Sequence, residues 1–253
     1  SAFVPASVYQ RFPRGVFGVP VAALAGMAIP ACECASVPVG QSLMRRGVAP
    51  SHALVFILAS PAINPVVLVA TAVAFNGNPM MVWARFAASL AAACVVGWIW
   101  MRVRFTIDGV ADDACGHHHH RSWEAFRVTA VQDFLQACGF LVIGAAIAAL
   151  IKVAVPESAL SVVTGNVWLG VAMMVLLAVV MSLCSEADAF VAASFVGVSP
   201  IAQLAFMVVG PMVDIKLIFM QAGAFGWRFV LRFVPLVLLA AVLSAVGVGI
   251  ALL

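Results

Sequence analysis

Two short stretches carry residues able to hold an ion: Cys32-Glu33-Cys34, and Cys184-Ser185-Glu186-Ala187-Asp188. Thiolates select soft or borderline ions such as Cu(I), Zn(II) and trivalent arsenic, and neighbouring carboxylates neutralise charge. Cysteine is also a common small apolar filler, a reading that suits Cys94 and Cys138. The two stretches differ from such fillers by joining Cys-x-Cys to a second thiol and to acids. Glu33, Glu186 and Asp188 sit in apolar surroundings where a carboxylate is costly unless it faces a pathway or a partner. The alternative places them at the cytoplasmic ends of their spans, beside Arg45-Arg46, where water reaches them.

Three further residues join this set. Asn64 and Asp214 each lie three residues after a proline, and Lys216 lies deep in Val-Asp-Ile-Lys-Leu-Ile-Phe-Met. They would line a path or couple protons to transport, with a static ion pair as the plain alternative. Asp214 and Lys216 are two apart and face different ways on a regular helix, so Lys216 is expected to pair with Glu186 or Asp188. Cys115 and His117, His118, His119 and His120 could form a metal-catching arm, although four consecutive His also suit an engineered tag. There is no phosphate-binding Gly-Lys-Ser/Thr loop, no HExxH and no evident nucleophile and base pair, so an enzyme is not expected.

The elements that must position these residues are membrane helices. The chain is 65% apolar and 9% charged, whereas soluble domains are about one-quarter charged. Apolar spans fall near 15–31, 50–75, 80–101, 129–151, 166–184, 200–225 and 229–252. A β-barrel would need alternation, which Phe86-Ala-Ala-Ser-Leu-Ala-Ala-Ala-Cys94 lacks. Arg45, Arg46, Arg102, Arg104, Arg121 and Arg127 fall on one side, which the positive-inside rule makes cytoplasmic. Arg11, Arg14 and Arg228 fall on the other. The six cysteines do not form a secreted disulfide framework. The lipid bilayer is the expected surrounding, and no nucleic-acid partner is expected.

Displaced by 150 positions, the chain overlays itself from Gly15 to Gly97. Cys34 falls on Cys184, Gly47-Val48 on Gly197-Val198, Pro50 on Pro200, Pro61 on Pro211 and Asn64 on Asp214. The expected fold is therefore an all-α polytopic membrane protein of two tandem, parallel four-helix repeats related by a pseudo-two-fold axis along the membrane normal. Repeat 1 covers 1–103 and repeat 2 covers 129–253. A cytoplasmic, His-containing linker occupies 104–128. The 129–151 span lacks a counterpart, so the first helix of repeat 1 is expected upstream of Ser1. Pro30, Pro38, Ser60-Pro61, Asn64-Pro65 and Gly210-Pro211 are expected to break helices, and such breaks at membrane depth face inward.

Pro30-Ala-Cys-Glu-Cys-Ala-Ser-Val-Pro38, Arg46-Gly47, Ser60-Pro61-Ala-Ile-Asn64-Pro65 and Thr71 resemble the bacterial predicted-permease family called YraQ or ArsP-like. Ser182-Leu-Cys-Ser-Glu-Ala-Asp-Ala-Phe190 through Gly210-Pro211 resembles its second block. The resemblance implies an inner-membrane permease associated with efflux of metals or trivalent arsenicals, in some members with a second membrane subunit. The expected cargo is Zn, Cu or As(III), held by Cys32, Cys34 and Cys184 and exported against protons, with no tightly bound cofactor. Two alternatives stand: a non-transporting metal-binding subunit of a larger complex, or a permease for an uncharged organic solute. A second subunit or a homodimer is the expected protein partner.

Overall fold

The computed structural model describes residues 15–28, 33–103, 167–195 and 197–253. Cys32, the 104–128 stretch with Cys115 and His117 to His120, and the expected 129–151 span lie outside the described residues.

The described residues form helices and no strand. The first half contributes α1 (Gly18–Ala28), α2 (Glu33–Arg45), α3 (Pro50–Ala62), α4 (Pro65–Ala74) and α5 (Pro79–Val103). The second contributes α6 (Val167–Met181), α7 (Asp188–Ser194), α8 (Pro200–Val209), α9 (Ile215–Phe225) and α10 (Trp227–Leu252). Among these residues, Pro50–Ala74, Pro79–Val103 and Trp227–Leu252 are long and apolar enough to cross a bilayer. Each has at least 25 residues, or about 37 Å of helix against a hydrocarbon core of about 30 Å.

Local signals explain the helix ends. Proline opens α3, α4, α5 and α8, where its missing N–H would have had no helical partner anyway. Ser199 caps α8 by accepting from the Ala202 N–H at 3.3 Å. The stretch 50–75 is two helices: α3 ends at Ala62 and α4 restarts at Pro65. The break falls at Ile63-Asn64, and Pro61 sits within the last turn of α3. Pro38 is likewise inside α2 and does not end it. One proline removes one hydrogen bond, and tertiary packing on both sides holds the remaining helix together.

Packing follows a paired pattern. The α1 helix lies on α3 as α6 lies on α8, and α3 lies on α5 as α8 lies on α10. Between halves, α5 runs against α10, α4 reaches α7 and α9 reaches α2. Close approach needs small residues. A Cβ on Gly26 of α1 would stand 3.1 Å from the Ser60 backbone nitrogen and 3.2 Å from the Phe56 carbonyl oxygen of α3. At the α5–α10 seam, the Trp100 ring meets Phe229 at 5.3 Å and Phe233 at 5.5 Å in edge-on contacts.

Candidate functional site

The site is assembled where each half inserts a charged element into the other. Met181 ends α6, and residues 182–187 form a non-helical turn before α7. Ser182 adopts a left-handed backbone with φ of 47°, a conformation that costs energy for any residue with a Cβ. Its hydroxyl stabilises the turn by donating to the Val179 carbonyl at 3.1 Å and accepting from the Ile215 N–H at 3.2 Å. Cys184 and Ser185 are thereby displayed on irregular backbone, with Cys184 exposed and Ser185 buried.

On the opposite side, Glu33 is the first residue of α2 and is fully buried. Its Oε1 accepts from Lys216 Nζ at 3.1 Å, and its Oε2 accepts from the Ser185 N–H at 3.4 Å. Lys216 Nζ also lies 3.5 Å from Asp214 Oδ2. The pairing expected from sequence, Lys216 with Glu186 or Asp188, is therefore replaced by Lys216 with Glu33 and Asp214. The reason is local. Asp214 is the N-cap of α9, with φ −142° and ψ 169° rather than helical values, so it is not bound by the two-apart geometry of a regular helix. Its Oδ1 accepts from the Leu217 N–H, leaving Oδ2 for the ammonium.

A second buried pair stands beside the first. Arg85 of α5 is fully buried, and its Nη2 donates to Asp188 Oδ2 at 2.7 Å and to the Ser185 carbonyl at 3.3 Å. Its Nη1 donates to Thr71 Oγ1 of α4 at 2.9 Å. Asp188 is thus engaged by Arg85, a residue outside the set expected from sequence, which stands within an apolar span. An arginine about two turns into an apolar span is itself a sequence signal, since a buried charge needs a partner on cost alone.

The Ser185 backbone joins the pairs, giving its N–H to Glu33 and its carbonyl to Arg85. Glu33, Asp188 and Asp214 face Arg85 and Lys216, so the fully ionised cluster holds one more acid than base. Such an excess in a low-dielectric site favours uptake of one proton or one cation. Arg85 Nε, Asp188 Oδ1 and Ser185 Oγ are buried without a hydrogen-bond partner among the described residues, capacity that a water or a polar cargo can use.

Two thiols feel the charges of this cluster. Cys184 lies within electrostatic range of Glu33, Glu186 and Lys216, and Cys34 within range of Lys216. Glu186 is half-buried beside Cys184. Among the described residues, no three Cys, His, Asp or Glu side chains converge as a ready metal cage. Cys94 is buried in the apolar core, as a packing residue would be. Asn64 is buried at the α3–α4 break, and its amide is engaged locally. It accepts from the Val67 N–H at 2.9 Å and donates to the Ser60 carbonyl at 3.1 Å.

Long apolar helices, a helix break in each half and intramembrane charges meeting between the halves describe a membrane permease rather than a soluble receptor. The chain belongs to the ArsP_1 family, described as predicted permease, whose model matches residues 6–250. It is 37% identical over 249 residues to the UPF0718 protein YcgR of Bacillus subtilis (strain 168), covering 94% of this chain and 83% of that protein. It is 31% identical over 260 residues to a protein of Streptococcus mutans serotype c (strain ATCC 700610 / UA159), covering 97% and 85%. That protein is named "Putative two-component membrane permease complex subunit". No solved structure matches the chain.

Proposed function

We propose that this permease exports a soft metal or metalloid ion, Zn, Cu or As(III), across the bacterial inner membrane in exchange for protons. The cargo binds at the meeting of two repeats related by a two-fold axis along the membrane normal. Cys34 and Cys184, with Cys32, supply the thiolates, and Glu33, Glu186 and Asp188 supply charge. The observation that carries this reading is the Glu33–Lys216–Asp214 cluster, two buried carboxylates sharing one ammonium beside Cys34 and Cys184.

Competition at this cluster gives exchange. An arriving zinc or copper ion takes the place of the Lys216 charge against Glu33 or Asp214, and a thiol that binds it releases its proton to the side from which the ion came. A proton entering from the other side is taken up by the thiolate as the cargo leaves, and Lys216 closes again on Glu33 and Asp214. Cys115 and His117 to His120 serve as a capture arm that raises local cargo concentration.

The decisive experiment is flux in proteoliposomes loaded with zinc, Cu(I) or arsenite under an imposed proton gradient. Gradient-driven movement of one of these, lost in Cys34→Ser and Cys184→Ser at nearly unchanged stability, is the expected result. Normal transport by Cys184→Ser sinks the reading. A second reading, a metal-binding subunit that works only within a larger complex, is favoured by the name of the Streptococcus mutans relative. It predicts metal bound by the purified chain but no flux until a second membrane protein is added.

A further inference from the structure

We propose that Arg85 is a positioning residue of the transport site, holding the 182–187 turn so that Cys184 and the Ser185 N–H face Glu33. The inference rests on reading Cys184 and Glu33 as transport groups, and its test reads the turn directly.

The turn has few attachments. Ser182 fixes its start through Ile215 and Val179. Within it, Ala187 and Asp188 N–H groups return to the Cys184 carbonyl at 2.9 and 3.1 Å, which shapes the turn without anchoring it to the bundle. Among the described residues, Leu183 packs on the core, and the other hydrogen bonds from the turn to the bundle are at Ser185, whose N–H meets Glu33 and whose carbonyl meets Arg85. The Glu33 contact is long, at 3.4 Å, and the Glu33 carboxylate is shared with Lys216. Arginine keeps its charge at any physiological pH, so the Arg85 contact does not depend on the protonation of its donor.

The fork geometry fits this task. One nitrogen of Arg85 reaches both the Ser185 carbonyl and Asp188, while the other holds Thr71 on α4. Three points on two halves of the chain are fixed by one planar group. Lysine, a single point of charge on a flexible stem, cannot hold all three in one geometry. Stability alone does not account for the pair, because well-packed apolar side chains commonly replace a buried ion pair without loss. Gly210 belongs to the same arrangement. It follows α8, and a Cβ there would stand 3.9 Å from Asp188 Oδ2, an ordinary contact that places the end of α8 next to the pair.

The test uses the full chain with Cys184 as its sole cysteine, in native membranes, and measures the rate at which a maleimide labels that thiol. The parent is compared with Arg85→Lys, which keeps the charge, and with the double variant Arg85→Met/Asp188→Leu, which removes both charges and so leaves neither unpaired. Both variants are expected to reach the membrane with a melting profile close to the parent's. Both are expected to change the Cys184 labelling rate by about tenfold, the scale of one lost charge-assisted hydrogen bond. Labelling within twofold of the parent in the folded double variant overturns the proposal, as does a Lys variant that labels like the parent. If the double variant fails to accumulate, the pair is a folding element and the proposal also falls. Because labelling needs no cargo, this result is independent of whether metal flux is found.

Discussion

Asn64 and Asp214 perform the same backbone task at matching places in the two halves. Asn64 Oδ1 accepts from the Val67 N–H and Asp214 Oδ1 from the Leu217 N–H, each capping a helix that restarts after a break. Only Asp214 adds a charge, and its second oxygen faces Lys216. One half has an amide where the other has an acid, so the matching positions are alike in structure and unlike in chemistry.

This separates capping from coupling. Asn64→Ala is expected to cost about 1 kcal/mol, the usual loss of a helix cap, in detergent unfolding experiments. Asp214→Asn keeps a capping oxygen and removes the charge. Its melting temperature should stay near the parent's while proton-driven flux falls steeply; retained flux would remove Asp214 from the coupling scheme.

Lys216 tests the shared ammonium. Lys216→Met leaves Glu33 and Asp214 buried without their cation and is expected to destabilise by about 3 kcal/mol or more. Adding Glu33→Gln should restore a good part of that loss, because the worst unpaired carboxylate is gone. A double-mutant cycle with additive effects would contradict the direct coupling implied by the 3.1 Å contact.

Much of this arrangement is legible in the chain. Hydropathy marks Pro50–Ala74, Pro79–Val103 and Trp227–Leu252 as spans, and the 50–75 stretch is indeed two helices, because Asn64-Pro65 carries both a cap and a helix-starting proline. Glu33, Asp188, Asp214 and Lys216 stand out as charges in apolar sequence, and all four are in the buried cluster. Their pairing is not legible, because it depends on which helices of one half enter the other. Lys216 and Glu33 are 183 residues apart, and no local period joins them. Arg85 escapes notice for another reason: twenty-four mostly apolar or small neighbours in α5 dilute one charge. The role of the Ser185 backbone cannot be read from side-chain identities at all.

Glycine positions give a further test. Gly47 and Gly197 both adopt left-handed backbone, with φ of 88° and 92°. Gly47→Ala and Gly197→Ala are each expected to cost about 1 kcal/mol, since a Cβ disfavours that conformation. Gly26→Leu should cost more, because its side chain would meet the α3 backbone, which cannot yield as a flexible side chain does. Thermal midpoints of the three variants, purified alike, check the ranking.

The proposed symmetry is checked by an experimental structure of the full chain in lipid. Residues near 15–97 should superpose on those near 165–247 after a rotation of about 180° around the membrane normal. An axis lying in the membrane plane would replace the parallel arrangement with an inverted one and would require a different count of spans.

The crossing of the two ion pairs bears on how the chain is made. Membrane proteins emerge from the ribosome amino-terminal end first. The first half therefore inserts with Arg85 and Glu33 in hand, while Asp188 and Lys216, the residues that answer them, have yet to be synthesised. Burying either charge alone is costly, so the first half by itself favours water around Arg85 and a neutral Glu33. Both pairs can form only once Lys216 has been made, so this set of charges is completed late in translation.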